Sequence, residues 1–181
     1  REPTPRGEVA RAFALLLGAT GSPGASSALA ELAGHGDAEA RVAAVEALAR
    51  IGGGDASRVL AVALRDTDAR VRVAAANAIG WHGESGLVPL LMGRLEEESD
   101  PDVMAAMLAA LGELRESRAV ALLLEVAKGV SGVFQRHPVR VRAAALRALG
   151  AIGTPEARLT LQNYLRHPSP EIRQAAEEAL R

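Results

Sequence analysis

Residues Thr67–Gly83 read TDARVRVAAANAIGWHG, and this stretch decides the fold. Asp68 opens it, Val71 and Arg72 follow, and Ala75, Ala78, Ile79 and Gly80 continue at helical spacing. With Arg72 as a marker, equivalents stand at Arg41, Arg142 and Arg173, and Met104 takes the place in a further copy. Successive markers lie 31, 32, 38 and 31 residues apart. One position before each marker are Ala40, Val71, Val103, Val141 and Ile172; three after are Ala44, Ala75, Met107, Ala145 and Ala176. Seven after are Leu48, Ile79, Leu111, Leu149 and Leu180. Several columns agreeing at this period mark an array of stacked supersecondary units.

Each copy contains a helix, here called B, whose apolar residues fall on one face; Ala40, Ala44, Ala47, Leu48 and Ile51 show it. Asp37, Asp68, Asp100 and Ser169 stand where an N-cap belongs. Pro101 and Pro170 follow at the first helical position, where a missing N–H costs nothing. Gly52, Gly83 and Gly153 close the copies. Between the B helices run second helices, A, opened by Ser22-Pro23, Asp55, Ser85 and Thr154-Pro155-Glu156. Glu8–Gly18 reads as a lone B helix acting as a cap, and no strand is expected. The chain is therefore read as one repeat domain over 1–181: a cap helix in 1–21 and repeats at 22–54, 55–84, 85–116, 117–153 and 154–181. The long interval places an insertion loop around 128–138, KGVSGVFQRHP, in which Phe134 is expected to pack back on the stack.

The series Asp68, Val71, Arg72, Ala75, Ala78, Ile79, Gly80 resembles the HEAT-like repeats of the phycobilin-lyase type, from about Ala25 onward. The resemblance implies an all-α, right-handed α-solenoid of about five helical hairpins, with the B helices on the concave side. It also implies a ladder in which the Asp and Arg columns pair within and between repeats. That family includes scaffolds, chaperone-like adaptors, bilin lyases and a metal-dependent hydroxylase. The residues themselves ask for such pairing: an Arg flanked by buried positions needs a carboxylate or carbonyl, and Asp37 for Arg41 and Asp68 for Arg72 are one turn away.

Composition narrows the function classes. Hydrophobic residues make up 49% of the chain but aromatics only 2%, which suits thin layers of small aliphatic side chains. A net charge of −1 gives no bulk attraction to nucleic acid or anionic membrane. There is no cysteine, hence no disulfide frame or thiolate metal site. No apolar run is long enough to span a bilayer. The sequence begins at Arg1, so compartment stays open, with the cytoplasm as default. No serine-hydrolase elbow, zinc-protease motif or phosphate loop occurs, and His82-Gly83-Glu84 only approaches the His-Glu pair of the hydroxylase branch. His35 and His167 share one turn column with Asp66 and Glu98, which points to turn capping and not to metal. No catalytic residue, cofactor or metal ligand is assigned.

A binding surface remains. Helical geometry turns four B columns away from the A layer, among them Arg70, Asp102 and Arg140; Val42, Val73, Ala105 and Ala143; Asn77, Ala109 and Arg147; and Arg50 and Trp81. A strip of small apolar residues with a charged margin suits a partner protein or peptide. Arg70, Val73, Asn77, Trp81, Ala109 and Arg147 are the candidate protein-binding residues of a scaffold or adaptor, the alternative being an accessory subunit of the bilin-lyase kind. Trp81 either belongs to this surface or folds inward, because its neighbour His82 leaves an aliphatic column unfilled.

Overall fold

The N-cap residues make the helices start where the sequence places them. In the computed structural model, which describes residues 5–20, 23–131 and 135–181, Asp37 Oδ1 accepts the N–H of Glu39 and Ala40, and Asp100 Oδ1 those of Asp102 and Val103. Asp68 and Ser169 cap in the same way. The chain falls into two compact units, Arg1–Leu87 and Val88–Arg181.

The first unit contains α1 (Pro5–Thr20), α2 (Pro23–Leu32), α3 (Ala38–Ile51), α4 (Gly54–Ala63), α5 (Ala69–Trp81) and a 3-10 turn at Ser85–Leu87. B helices α3 and α5 pack side by side, A helices α2 and α4 cover them, and α1 lies along α3. The second unit contains α6 (Val88–Glu97), α7 (Pro101–Glu113), a 3-10 turn at Ser117–Ala119, α8 (Val120–Lys128), α9 (Val139–Ile152), α10 (Pro155–Tyr164) and α11 (Pro170–Ala179). There α7, α9 and α11 form the B layer, and α6, α8 and α10 the A layer. Helical hairpins α2–α3, α4–α5, α6–α7, α8–α9 and α10–α11 thus carry the repeat. The insertion holds the one β-structure among the described residues, strands β1 (Val130–Ser131) and β2 (Gln135–Arg136), paired antiparallel with Val130 opposite Arg136. Phe134 lies outside the described residues.

The core is the set of columns read from the sequence, except that Leu180, just past the end of α11, stands 36% exposed. Leu48, Ile79, Leu111 and Leu149 are fully buried, as are Ala40, Ala44, Val71, Ala75, Val103, Met107, Val141 and Ala145. Truncating one of the large members to Ala removes buried methyls and leaves a cavity, at a cost of about 2–5 kcal/mol. Glycine sets the spacing between B helices. A Cβ on Gly112 would stand 2.8 Å from Ala148 Cα, and one on Gly150 would stand 2.4 Å from the Ala179 carbonyl oxygen. Gly18 of α1 meets Ala47 of α3 in the same register, its Cβ position 2.7 Å from Ala47 Cβ. So α1 is a B helix by packing as well as by pattern. No A helix precedes it among the described residues, and its core columns Val9 and Phe13 stand exposed.

Two A-helix starts differ from expectation. Asp55 is not a cap: Gly53, with φ 90, holds that place, and Asp55 sits inside the first turn of α4. Ser85 opens a 3-10 turn, and α6 begins only at Val88. Thr154 does cap α10, its Oγ1 accepting the Ala157 N–H.

Candidate functional site

The Arg column and the turn column form one device. Arg41 Nη1 donates to the carbonyls of His35 and Gly36, Arg72 Nη1 to those of Asp66 and Thr67, and Arg173 Nη1 to those of His167 and Pro168. Each guanidinium thereby closes the A–B turn of its own repeat, satisfying carbonyls the helices leave unpaired. Within that turn His35 Nδ1, Asp66 Oδ1, Glu98 Oε1 and His167 Nδ1 each accept the backbone N–H two residues on. The turn-capping role of His35 and His167 is therefore visible directly.

The inter-repeat partner of Arg41 is Asp66 of the next turn, not the nearby cap Asp37. Arg41 Nε and Nη2 each donate to one Asp66 oxygen at 2.7 Å, and both side chains are 13% exposed. Burial alone pushes the Asp66 carboxyl up, but the hydrogen bonds from Arg41 and the Asp68 N–H outweigh it and hold it below the usual carboxylate range. Asp37 and Asp68 point instead at the first-turn N–H groups of their own helices.

The outward B columns carry rungs of exposed ion pairs. Arg70 bridges Asp68, at 2.9 Å, and Glu39 of the neighbouring helix. Its hydrogen bonds to Asp68 pull that carboxyl down to about 2. In the second unit Arg140 meets Asp102 at 2.5 Å and Arg147 meets Glu178 at 2.8 Å. Arg70 and Arg147 are thus engaged within the protein, a coupling that side-chain reach across adjacent B helices explains and single-copy reading missed.

Around these rungs the apolar strip is narrower than expected. Val42, Val73, Ala105 and Asn77 are partly covered, Ala109 is exposed, and Ala143 is buried because α9 is flanked by both α7 and α11. Arg70, Val73, Asn77 and Trp81 share one stripe of α5, whereas Ala109 belongs to α7 and Arg147 to α9. Trp81 does not fold inward: it is 71% exposed. The physical reason is that α5 ends there. His82, at φ −94 and ψ 1, has left the helix, so the position beside Trp81 no longer faces the core. Among the described residues no three His, Cys, Asp or Glu side chains gather as a metal site, and no helix is long and apolar enough to cross a membrane.

Comparison with known proteins fits this geometry. No curated protein matches the sequence. Among solved structures, a chain of the complex of CpcE and CpcF of phycocyanin lyase from Nostoc sp. PCC7120 superposes with a TM-score of 0.70 at 27% identity, over 86% of this chain. This chain spans 63% of that one. Human deoxyhypusine hydroxylase in complex with glycerol aligns over 92% of this chain and 87% of its own, with a TM-score of 0.40 at 18% identity. The model of the family described as HEAT repeats matches residues 2–64, 56–137 and 131–181. The fold is accordingly an all-helical solenoid of repeats, and the chain belongs to the HEAT-repeat family.

Proposed function

We propose that the protein is an interaction scaffold or adaptor whose outward B-helix face receives a partner protein or peptide. The observation that carries this reading is Trp81, the lone tryptophan, exposed at the end of the stripe formed by Arg70, Val73 and Asn77. A solvent-facing Trp beside small, partly covered aliphatics supplies a large contact at little entropic cost, the usual composition of a binding hot spot. The B-face charges are mixed in sign and paired, which disfavours a phosphate track. In the second unit Ala109 and Arg147 hold the corresponding positions of α7 and α9. The test is affinity capture with immobilised wild type, Trp81→Ala, Asn77→Arg and Arg147→Glu, with Leu159→Ala of α10 as a control. Partners retained by the control and lost from the B-face variants support the proposal. Equal recovery by all of them overturns it.

A second reading, an accessory subunit of a bilin-lyase-like assembly, is favoured by the likeness to a chain of the CpcE–CpcF complex. It requires the purified protein, alone or with a second HEAT-repeat chain, to bind an open-chain tetrapyrrole. A mixture that shows no shift in visible absorbance removes it.

A further inference from the structure

Arg115 occupies a place that other repeats give to glycine. Counted from the marker column, Gly52, Gly83 and Gly153 stand where Arg115 stands after Met104. The glycines have φ of 74, 69 and 71, and Arg115 has φ 50, the one positive value for a non-glycine among the described residues. A side chain in this left-handed region is disfavoured and glycine is not. Backbone held in that way concentrates at functional sites.

Arg115 lines a cleft of about 730 Å³ with the ends of α9 and α11 and the Arg158 and Gln162 positions of α10. Arg158, Gln162 and Arg181 share the cleft with Ala151 and Ile152. No lining residue is acidic. Seven guanidinium groups, those of Arg41, Arg58, Arg70, Arg94, Arg118, Arg140 and Arg147, each meet a carboxylate, while Arg50, Arg65 and Arg166 stand singly on the surface among the described residues. Arg115 and Arg158 have no ion-pair partner among the described residues. Arg181 lies near Glu178, whose carboxylate is taken by Arg147. Gly150 brings α11 close enough to α9 to join these groups in one recess.

We propose that this cleft is an anion site for a small molecule bearing a phosphate or diphosphate group. Planar guanidinium forks match the oxygen geometry of phosphate, more than one of them calls for a ligand with more than a single charge, and Gln162 adds an adaptable amide. The volume exceeds that of a bare ion and lies in the range of small-molecule pockets, so the cleft has room for an organic body beside the phosphate.

The experiment is calorimetric titration at low ionic strength with inorganic pyrophosphate as probe and succinate as comparison. Wild type is expected to bind one pyrophosphate, and Arg115→Gly and Arg158→Gln each to weaken it by about tenfold or more. Arg166→Gln, exposed near the other end of α10, is expected to leave affinity unchanged. Arg115→Gly also raises the melting temperature, since glycine relieves the backbone, so loss of binding with gain of stability separates a site from a structural role. No binding by wild type, equal weakening by Arg166→Gln, full binding by Arg115→Gly, or succinate binding as tightly as pyrophosphate each overturns the proposal.

Discussion

The two units solve the same junction with different chemistry. In the first, Asp66 performs two tasks at once: Oδ1 accepts the Asp68 N–H at 2.8 Å while both oxygens accept from Arg41. In the second, His167 stands in the same column, its Nδ1 accepting the Ser169 N–H at 3.1 Å and its Nε2 facing Arg142 Nη2 at 3.2 Å. A carboxylate has lone pairs enough for both tasks, but a neutral imidazole has one acceptor nitrogen. With Nδ1 engaged by the turn, the ring proton is on Nε2 and faces a guanidinium donor. Arg142 satisfies its Nε on the Ala127 carbonyl instead, at 3.0 Å. The turn cap is therefore the indispensable part of the motif, and the inter-repeat ion pair is the part that can lapse.

The largest effect should come from breaking the complete version. Arg41→Ala strands the turn carbonyls of His35 and Gly36 and leaves a mostly covered Asp66 carboxylate without its cation. Being intermediate between an exposed and a fully buried pair, this should cost about 2 kcal/mol in chemical denaturation. A loss no greater than that of an exposed ion pair would show that Asp66 is not held by Arg41. Repairing the incomplete version is the converse. His167→Asp gives Arg142 a carboxylate while keeping the acceptor for Ser169 N–H, and should stabilise by about 1 kcal/mol. An unchanged or lowered melting temperature would mean that the shape of the imidazole, stacked on Tyr164 at 5.8 Å, matters more than its missing lone pair.

How much of this was readable in advance follows from what each signal depends on. The columns containing Leu48, Ile79, Leu111 and Leu149 repeat at helical spacing, so the core and the hairpin order were legible from pattern alone. The turn column was legible too, because His35, Asp66, Glu98 and His167 differ in type but share an acceptor. The Arg41–Asp66 pair was not, since Asp37 is closer in sequence and only three-dimensional stacking brings Asp66 to the guanidinium. Trp81 remained ambiguous because one residue of helix length decides whether its neighbour His82 faces the core. The outward columns were legible only in part: Arg70, Trp81, Ala109 and Arg147 stand exposed, but Ala143 is buried and Val42, Val73, Asn77 and Ala105 are half covered by neighbouring helices. The exposed rungs through Arg70 and Arg147 depended on which charges lie across adjacent B helices, which a single column does not reveal.

Acid should distinguish the two junctions by pH window. Burial, then the nearby Arg142 charge, pushes His167 below its ordinary value, so the folded protein favours the neutral ring. His137 is displaced in the same direction by burial and the same arginine. The unfolded chain takes up these protons first, so stability is fully present above about 6.5, the unfolded His value, and falls as pH drops toward the lower folded values. Asp66, with a depressed folded value, contributes stability that is present above about 3.9 and lost as pH falls through its folded value. His167→Asp should therefore remove part of the loss near pH 6, leaving the His137 share, and add a loss in the carboxylate range. Melting curves from pH 7.5 to 3 read this directly, and an identical slope near pH 6 in variant and wild type would rule out His167 as a source.

The smallest effect belongs to the exposed rungs. Arg147 and Glu178 meet at 2.8 Å, nearly the distance of the Arg41–Asp66 contacts, yet their side chains are 52% and 37% exposed against 13% for both partners there. Water screens the pair and ordering two long side chains offsets what remains. Arg147→Ala should accordingly leave the denaturation midpoint unchanged within error, and so should Arg70→Ala. If Arg147→Ala destabilises as much as Arg41→Ala, then burial is not what separates the two kinds of contact. If instead Arg147→Ala is silent in stability but lowers capture of a partner, the rung serves recognition: the arginine is then exchangeable between Glu178 and a carboxylate of the ligand, which a lightly held, solvent-facing ion pair permits and a covered one does not.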